Sequence, residues 1–314
     1  MQSASAAIRA IGLSKAYGET MALRELDLQI PRGQFFRLLG PNGSGKTTAV
    51  HALTTLIRPT HGRAEVAGHD VLRSGVAVRR EIGIVFQELS LDPVLSVEET
   101  LLFAGRLRGL SRAQIMERSE ILLALFGLAD RRGQRVGSLS GGMRRALDIT
   151  RSLLHRPRIL FLDEPTLGLD VTSRQNIWRH IEQLRRSEQT TVFLTTHYLE
   201  EAQPCERVAF LSEGRIIEAG NPSELEAALG RAVFEIEADP EPLASVLPSL
   251  SEAFGPGIHD EGRALFRVRD PRIDVQQLLG SSRGELRSVR QRRPNLNDVF
   301  RWVNRPSRGE GEAR

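Results

Sequence analysis

The chain has 314 residues, 40% hydrophobic and 26% charged, with a formal net charge of +4. That balance describes an ordinary globular protein large enough for more than one core, and no apolar stretch approaches the ~20 residues of a membrane span. A lone cysteine, Cys205, excludes an internal disulfide and fits a reducing compartment, no signal-type n-region and h-region is expected, and the dispersed basic excess does not indicate nucleic acid.

Residues 8–39 alternate apolar and polar positions in short runs and predict strands of a small sheet. Arg37 puts a charge inside the last of these runs, 35–39, which calls for an edge position or an acidic partner. Residues 47–57 then carry a helix-compatible pattern. Between strand and helix stands Gly40-Pro41-Asn42-Gly43-Ser44-Gly45-Lys46-Thr47-Thr48, which fits the phosphate-loop pattern G-x-x-x-x-G-K-[ST] in the setting its chemistry needs. Glycines let backbone N–H groups approach phosphate oxygens, and the helix N-terminus adds a favourable dipole. Lys46 is placed to reach the β- and γ-phosphates, and the Thr47 hydroxyl to hold Mg²⁺. Only two of the 43 basic residues are lysines, Lys15 and Lys46. A compact ammonium fits among phosphates where a planar guanidinium would meet the wrapped backbone.

Residues 82–86, 159–162 and 191–195 are short, almost wholly apolar runs, as expected of strands buried on both faces of a parallel sheet. Two helix-like stretches, 97–108 and 112–126, read as a helical insertion after the first of these. Leu139-Ser140-Gly141-Gly142-Met143 opens a further helix to about residue 155, with Ser140 as N-cap and free N–H groups at the helix end. The strand at 159–162 runs into Asp163 and Glu164. Carboxylates at such a strand end are placed to act on Mg²⁺, directly or through water, and to polarise an attacking water. After a short helix at 223–229, residues 233–303 alternate strand, helix, strand, helix, strand, helix, the second helix at 273–279. That pattern predicts a small α+β appendage. Residues 305–314 are Gly-, Glu- and Arg-rich and read as a disordered tail.

Together these segments resemble the ATP-binding cassette (ABC) family of transport ATPases over about residues 8–230. The resemblance implies an α/β fold: a P-loop NTPase cassette with a RecA-like core, an antiparallel β subdomain and a helical insertion. It implies a nucleotide-binding domain at 6–230, an accessory α+β domain at 231–304 and the tail at 305–314. Tyr17 matches the family's adenine-stacking aromatic; otherwise it is a strand tyrosine with its ring in the core. Gln87 matches the Q-loop glutamine at Mg²⁺ and the attacking water, and His197 the switch histidine at the γ-phosphate. Glu164 matches the residue that activates water, and Gly168-Leu169-Asp170 the D-loop. In this family Ser140, Gly141 and Gly142 clamp ATP bound to a second subunit. Met143 departs from the glutamine common there.

The segments 139–148, 195–201 and Pro294-Asn-Leu-Asn-Asp-Val-Phe300 resemble the ABC-2 exporter ATPases, the daunorubicin-resistance and nodulation-factor group. The resemblance implies ATP and Mg²⁺ as ligands, a second copy of the cassette and a separate multi-span permease as partners, and a place on the cytoplasmic side of the cell membrane. No nucleic acid is expected. The competing reading is a soluble ABC ATPase acting on nucleic acid or ribosomes, which usually carries two cassettes or a long coiled-coil insertion.

Overall fold

A computed structural model describes residues 6–197, 205–260, 262–268 and 286–305. They fall into two compact units, one ending at Ala219 and the other starting at Gly220. The first unit opens with β1 (Ala6–Tyr17), β2 (Thr20–Pro31), β3 (Phe35–Leu39) and α1 (Lys46–Leu53). β4 (His61–Val66), β5 (His69–Asp70), α2 (Gly75–Glu81) and β6 (Ile82–Val85) follow. Next come α3 (Val97–Leu107), α4 (Arg112–Leu125), α5 (Gly141–Leu153) and β7 (Ile159–Asp163). α6 (Val171–Glu188), β8 (Thr191–Thr196), β9 (Arg207–Ser212) and β10 (Arg215–Gly220) complete it.

Two sheets result. β2-β1-β4-β5 is antiparallel, and β10-β9-β3-β8-β7-β6 carries the parallel pairs β6/β7, β7/β8, β8/β3 and β3/β9. Side chains of the central strands alternate between two cores. Phe36, Ile159, Phe161 and Phe193 pack with the antiparallel sheet and α1, whereas Phe35, Leu160, Leu162, Val192 and Leu194 pack with the helices on the other side. A strand with an apolar core on each face has no polar positions to spare, so these runs read as unbroken hydrophobics. β3 lies between β9 and β8, so Arg37 is not at an edge; it is 1% exposed, with its guanidinium 5.7 Å from the Phe35 ring centroid.

Helix ends follow local chemistry. Ser96 with Glu99, and Ser111 with Gln114, form capping boxes that start α3 and α4. α1 stops at Leu53 rather than at the expected 57. The Thr54 hydroxyl folds back on the Val50 carbonyl at 2.7 Å, and Thr55 takes a left-handed φ of 69°. No helix among the described residues is long and apolar enough to cross a membrane.

The second unit holds α7 (Pro222–Ala228), β11 (Ala232–Ala238), α8 (Pro240–Phe254), β12 (Ile258–Asp260), β13 (Arg263–Val268), β14 (Leu286–Arg292) and α9 (Leu296–Val303). Its sheet runs β12-β13-β11-β14, and α8 covers one face around Phe234, Ile236, Phe266 and Leu250. α7, expected to close the first unit, packs on α9 and belongs here, so the units part eleven residues before the expected border at 230. The helix expected at 273–279 and the tail beyond 305 lie outside the described residues.

The Pro294–Phe300 motif has a structural explanation. Asn295 caps α9, and Asp298 completes the capping box while accepting both arms of the Arg292 guanidinium at 2.6 and 2.8 Å. Arg292 also donates to Glu235 on β11 at 2.9 Å, so helix, edge strand and central strand meet at one guanidinium, and the Asp298 carboxylate it holds is 1% exposed. Asp298→Ala is expected to destabilise this unit by roughly 2 kcal/mol, since it removes a cap and one of the two carboxylates that hold a partly buried cation. Urea unfolding of the full chain, followed by fluorescence of Trp302 on α9, checks this. An unchanged midpoint would make the motif a contact surface rather than a brace.

Candidate nucleotide site

The loop after β3 takes its shape from its glycines. Gly43 and Gly45 adopt φ of 80° and 107°. A Cβ on Gly45 would stand 2.4 Å from the Ala22 carbonyl oxygen, and one on Gly40 would stand 2.3 Å from that of Leu211, so neither position admits a side chain. Lys46, at the start of α1, is 5% exposed. Its Nζ donates to the carbonyls of Gly40 at 2.9 Å and Pro41 at 3.0 Å, curling the loop around the ammonium. Ser44 Oγ is buried without a hydrogen-bond partner among the described residues. An unsatisfied hydroxyl beside an ammonium and a helix N-terminus fits a ligand made of phosphate oxygens.

The loop opens on a cavity of about 410 Å³, whose walls include Asn42, Gly43, Gly45, Lys46, Thr47 and Thr48. The ends of three other strands bring Gln87, Glu164 and His197 to the same cavity, although they are widely separated in sequence. Glu164 is 8% exposed and bridges the site: Oε1 lies 3.5 Å from Lys46 Nζ and Oε2 is 2.7 Å from His197 Nδ1. Its backbone has a left-handed φ of 46°, unusual for a glutamate. The Glu164 N–H, donating to the Thr195 carbonyl at 3.1 Å, secures that turn. Asp163 is 1% exposed and accepts the Thr195 hydroxyl. Thr195 is thus a supporting residue that sequence reasoning missed; it is one of three threonines in β8, and no local pattern singles it out. Cationic and N–H donors, with a carboxylate–imidazole pair beside them, suit attack of water on a phosphoanhydride.

Other expected site residues stand away from these walls. Tyr17 ends β1, and its ring is half exposed with Lys15 Nζ 5.0 Å from the centroid, so it is not a core tyrosine. Ser140 caps α5 through Met143 N at 3.3 Å, and Ser140 and Gly141 are exposed. Met143 packs against the helical core. Asp170 caps α6, accepting the backbone and hydroxyl of Ser173 at 2.9 and 2.6 Å, and the hydroxyl's hydrogen bond lowers its pKa. A Cβ on Gly142 would come within 2.7 Å of that same hydroxyl. The serine-capped and aspartate-capped helix ends therefore abut, but do not line their own chain's cavity.

Comparison with known proteins agrees with this architecture. Residues 23–167 match the family described as ABC transporter. The daunorubicin/doxorubicin resistance ATP-binding protein DrrA of Streptomyces peucetius is 42% identical over 301 residues, covering 94% of this chain and 91% of its own. The Nod factor export ATP-binding protein I of Cupriavidus metallidurans is 40% identical, covering 91% and 93%. Among solved structures, cbiO1 of Clostridium perfringens superimposes with a TM-score of 0.66 at 29% identity, covering 71% of this chain and 91% of its own. A cassette solved as a dimer in a post-hydrolysis state with ADP and Pi scores 0.63 at 27% identity, covering 68% and 98%. The chain belongs to the ABC transporter family, as one of the ATP-binding proteins that hydrolyse ATP to drive transport.

Proposed function

We propose that this chain is the motor subunit of an ABC-2 type exporter, working from the cytoplasmic face of the membrane on a separate multi-span permease. Two copies would dimerise head to tail around two ATP molecules; nucleic acid has no part in this cycle. The supporting observation is the layout of the site. Lys46, Gln87, Glu164 and His197 share one cavity, while Ser140, Gly141, Gly142 and Asp170 sit on helix ends outside it. A second copy supplies those helix ends to each cavity.

In this reading the amides of residues 40–48 and Lys46 take the phosphates, and Tyr17 stacks on the base. Glu164 draws a proton from water that Gln87 helps to orient, and His197 steadies the γ-phosphate end. Mg²⁺, when bound, would neutralise phosphate charge; Thr47, Gln87 and Asp163 would hold it, Asp163 directly or through water. Ser140, Gly141 and Gly142, with Met143 behind them, close on the partner's nucleotide, and hydrolysis releases the clamp.

A cleft bordered by Leu56, Val76, Ile84 and Leu107 fits the permease side of the mechanism. Leu56, Val76 and Leu107 are 51%, 58% and 72% exposed, and Arg79, Arg80 and Arg108 rim them. An apolar floor with basic edges suits a short amphipathic segment carrying acidic residues. The test is capture of tagged Glu164→Gln protein, with ATP, from gently solubilised native membranes. A multi-span membrane protein among the captured partners is the expected result. Ribosomes or nucleic acid alone would transfer the chain to the soluble remodelling ATPases.

A further inference from the structure

The segment after β6 is held by its backbone to α5, and the holding groups are arginines of that helix. Arg145 is 4% exposed; its Nη1 donates to the Phe86 carbonyl at 2.7 Å and its Nη2 to the Gln87 carbonyl at 2.6 Å. Arg151 donates to the Ser90 carbonyl at 2.9 Å and the Ser90 hydroxyl at 2.8 Å. Asp148, 1% exposed, stands between them, accepting from Arg151 and lying 3.6 Å from Arg145 Nη1. Spaced by three, these residues share one side of the helix. Burial pushes the Asp148 carboxyl up, opposed first by Arg151 and then by Arg145. Buried charges in one helix are a costly way to fill space, and here each guanidinium is aimed at the segment carrying Gln87.

We infer that Arg145, seated by Asp148, is a positioning residue that makes the Gln87 segment and the Ser140 helix end move as one body. The inference rests on the roles proposed above for Gln87 and Ser140. A two-pronged guanidinium fixes orientation as well as distance, and α5 is continuous from Gly141 to Leu153. A displacement of Gln87 by this chain's own nucleotide is therefore passed to the helix end that closes on the partner's. Arg151 grips the far end of the same segment and prevents it from pivoting.

The test compares purified full-length Arg145→Lys, Gln87→Ala and wild-type protein. Lysine keeps a charge beside Asp148 but, as a single ammonium, cannot reproduce the fork to two carbonyls. Arg145→Lys should bind ATP within about twofold of wild type and melt close to it, yet lose about tenfold in kcat through misplacement alone. Its Hill coefficient for ATP should fall from about 2 toward 1, because the two sites no longer report to each other. Wild-type kcat and Hill coefficient in Arg145→Lys overturn the inference. So does a loss of kcat matched by an equal loss of ATP affinity with cooperativity intact, which is the mark of general damage. If Gln87→Ala is slow while Arg145→Lys is fast, the site reading stands and the clamp alone falls. If Gln87→Ala turns over normally, the role given to Gln87 fails and takes the inference with it.

Discussion

Replacing Glu164 with glutamine is expected to lower ATP turnover by about 10³-fold, the range for loss of a general base, while ATP binding is kept or strengthened. Both halves follow from the resting geometry. The carboxylate lies 3.5 Å from Lys46 Nζ and 2.7 Å from His197 Nδ1, so it engages two groups assigned to the phosphates. An amide of the same shape no longer attracts the ammonium, which frees Lys46 for the ligand, but it cannot take a proton from water. ATP-dependent dimers should then accumulate. The comparison is steady-state phosphate release alongside light scattering with and without ATP. Turnover near the wild-type rate would remove Glu164 from the chemistry, and a wholly monomeric, ATP-loaded variant would remove the two-copy arrangement.

Lys46→Ala is expected to weaken ATP binding by about 100-fold, the equivalent of losing ~3 kcal/mol of charge-assisted hydrogen bonds to phosphate. The variant loses more than a ligand contact. The ammonium also ties the Gly40 and Pro41 carbonyls and offsets the nearby Glu164 charge. Equilibrium binding of a fluorescent ATP analogue measures the effect, and unchanged affinity would contradict the phosphate role. Mixing Lys46→Ala with Ser140→Ala protein extends the argument. A mixed dimer has one cavity with both defects and one with neither, so activity should reappear on mixing if Ser140 acts on the partner's nucleotide. Mixtures no more active than the separate variants would place Ser140 in its own chain's site.

The candidate site was legible because its residues sit at the ends of largely apolar runs. A strand buried on both faces advertises itself, and parallel strands deliver their ends to one edge of the sheet; Gln87, Asp163–Glu164 and His197 follow from that rule. Elements with sparse apolar content were silent. In β4 only Ala64 and Val66 are buried, and in α6 only Ile177, Trp178, Ile181 and Leu184 among eighteen residues. Arg37 was visible as an oddity, but its place in the middle of the sheet depends on strand order, which no local pattern encodes. The assignment of α7 to the second unit likewise arises from packing on α9. Arg145 looked like one more arginine in an arginine-rich chain, because its partners are backbone carbonyls, which have no sequence signature.

The alternation along β3, β7 and β8 bears on how the first unit comes apart. Neighbouring residues of a single strand, such as Leu160 and Phe161, are anchored in different cores. Neither the antiparallel layer nor the helical layer can then melt by itself without stripping one face from strands the other still needs. Subglobal opening should be confined to the periphery, leaving the amides of these strands to exchange with solvent only through global unfolding. Such a unit cannot be halved into separately folding fragments: the helical layer is free to tilt only as far as the shared strands stay covered.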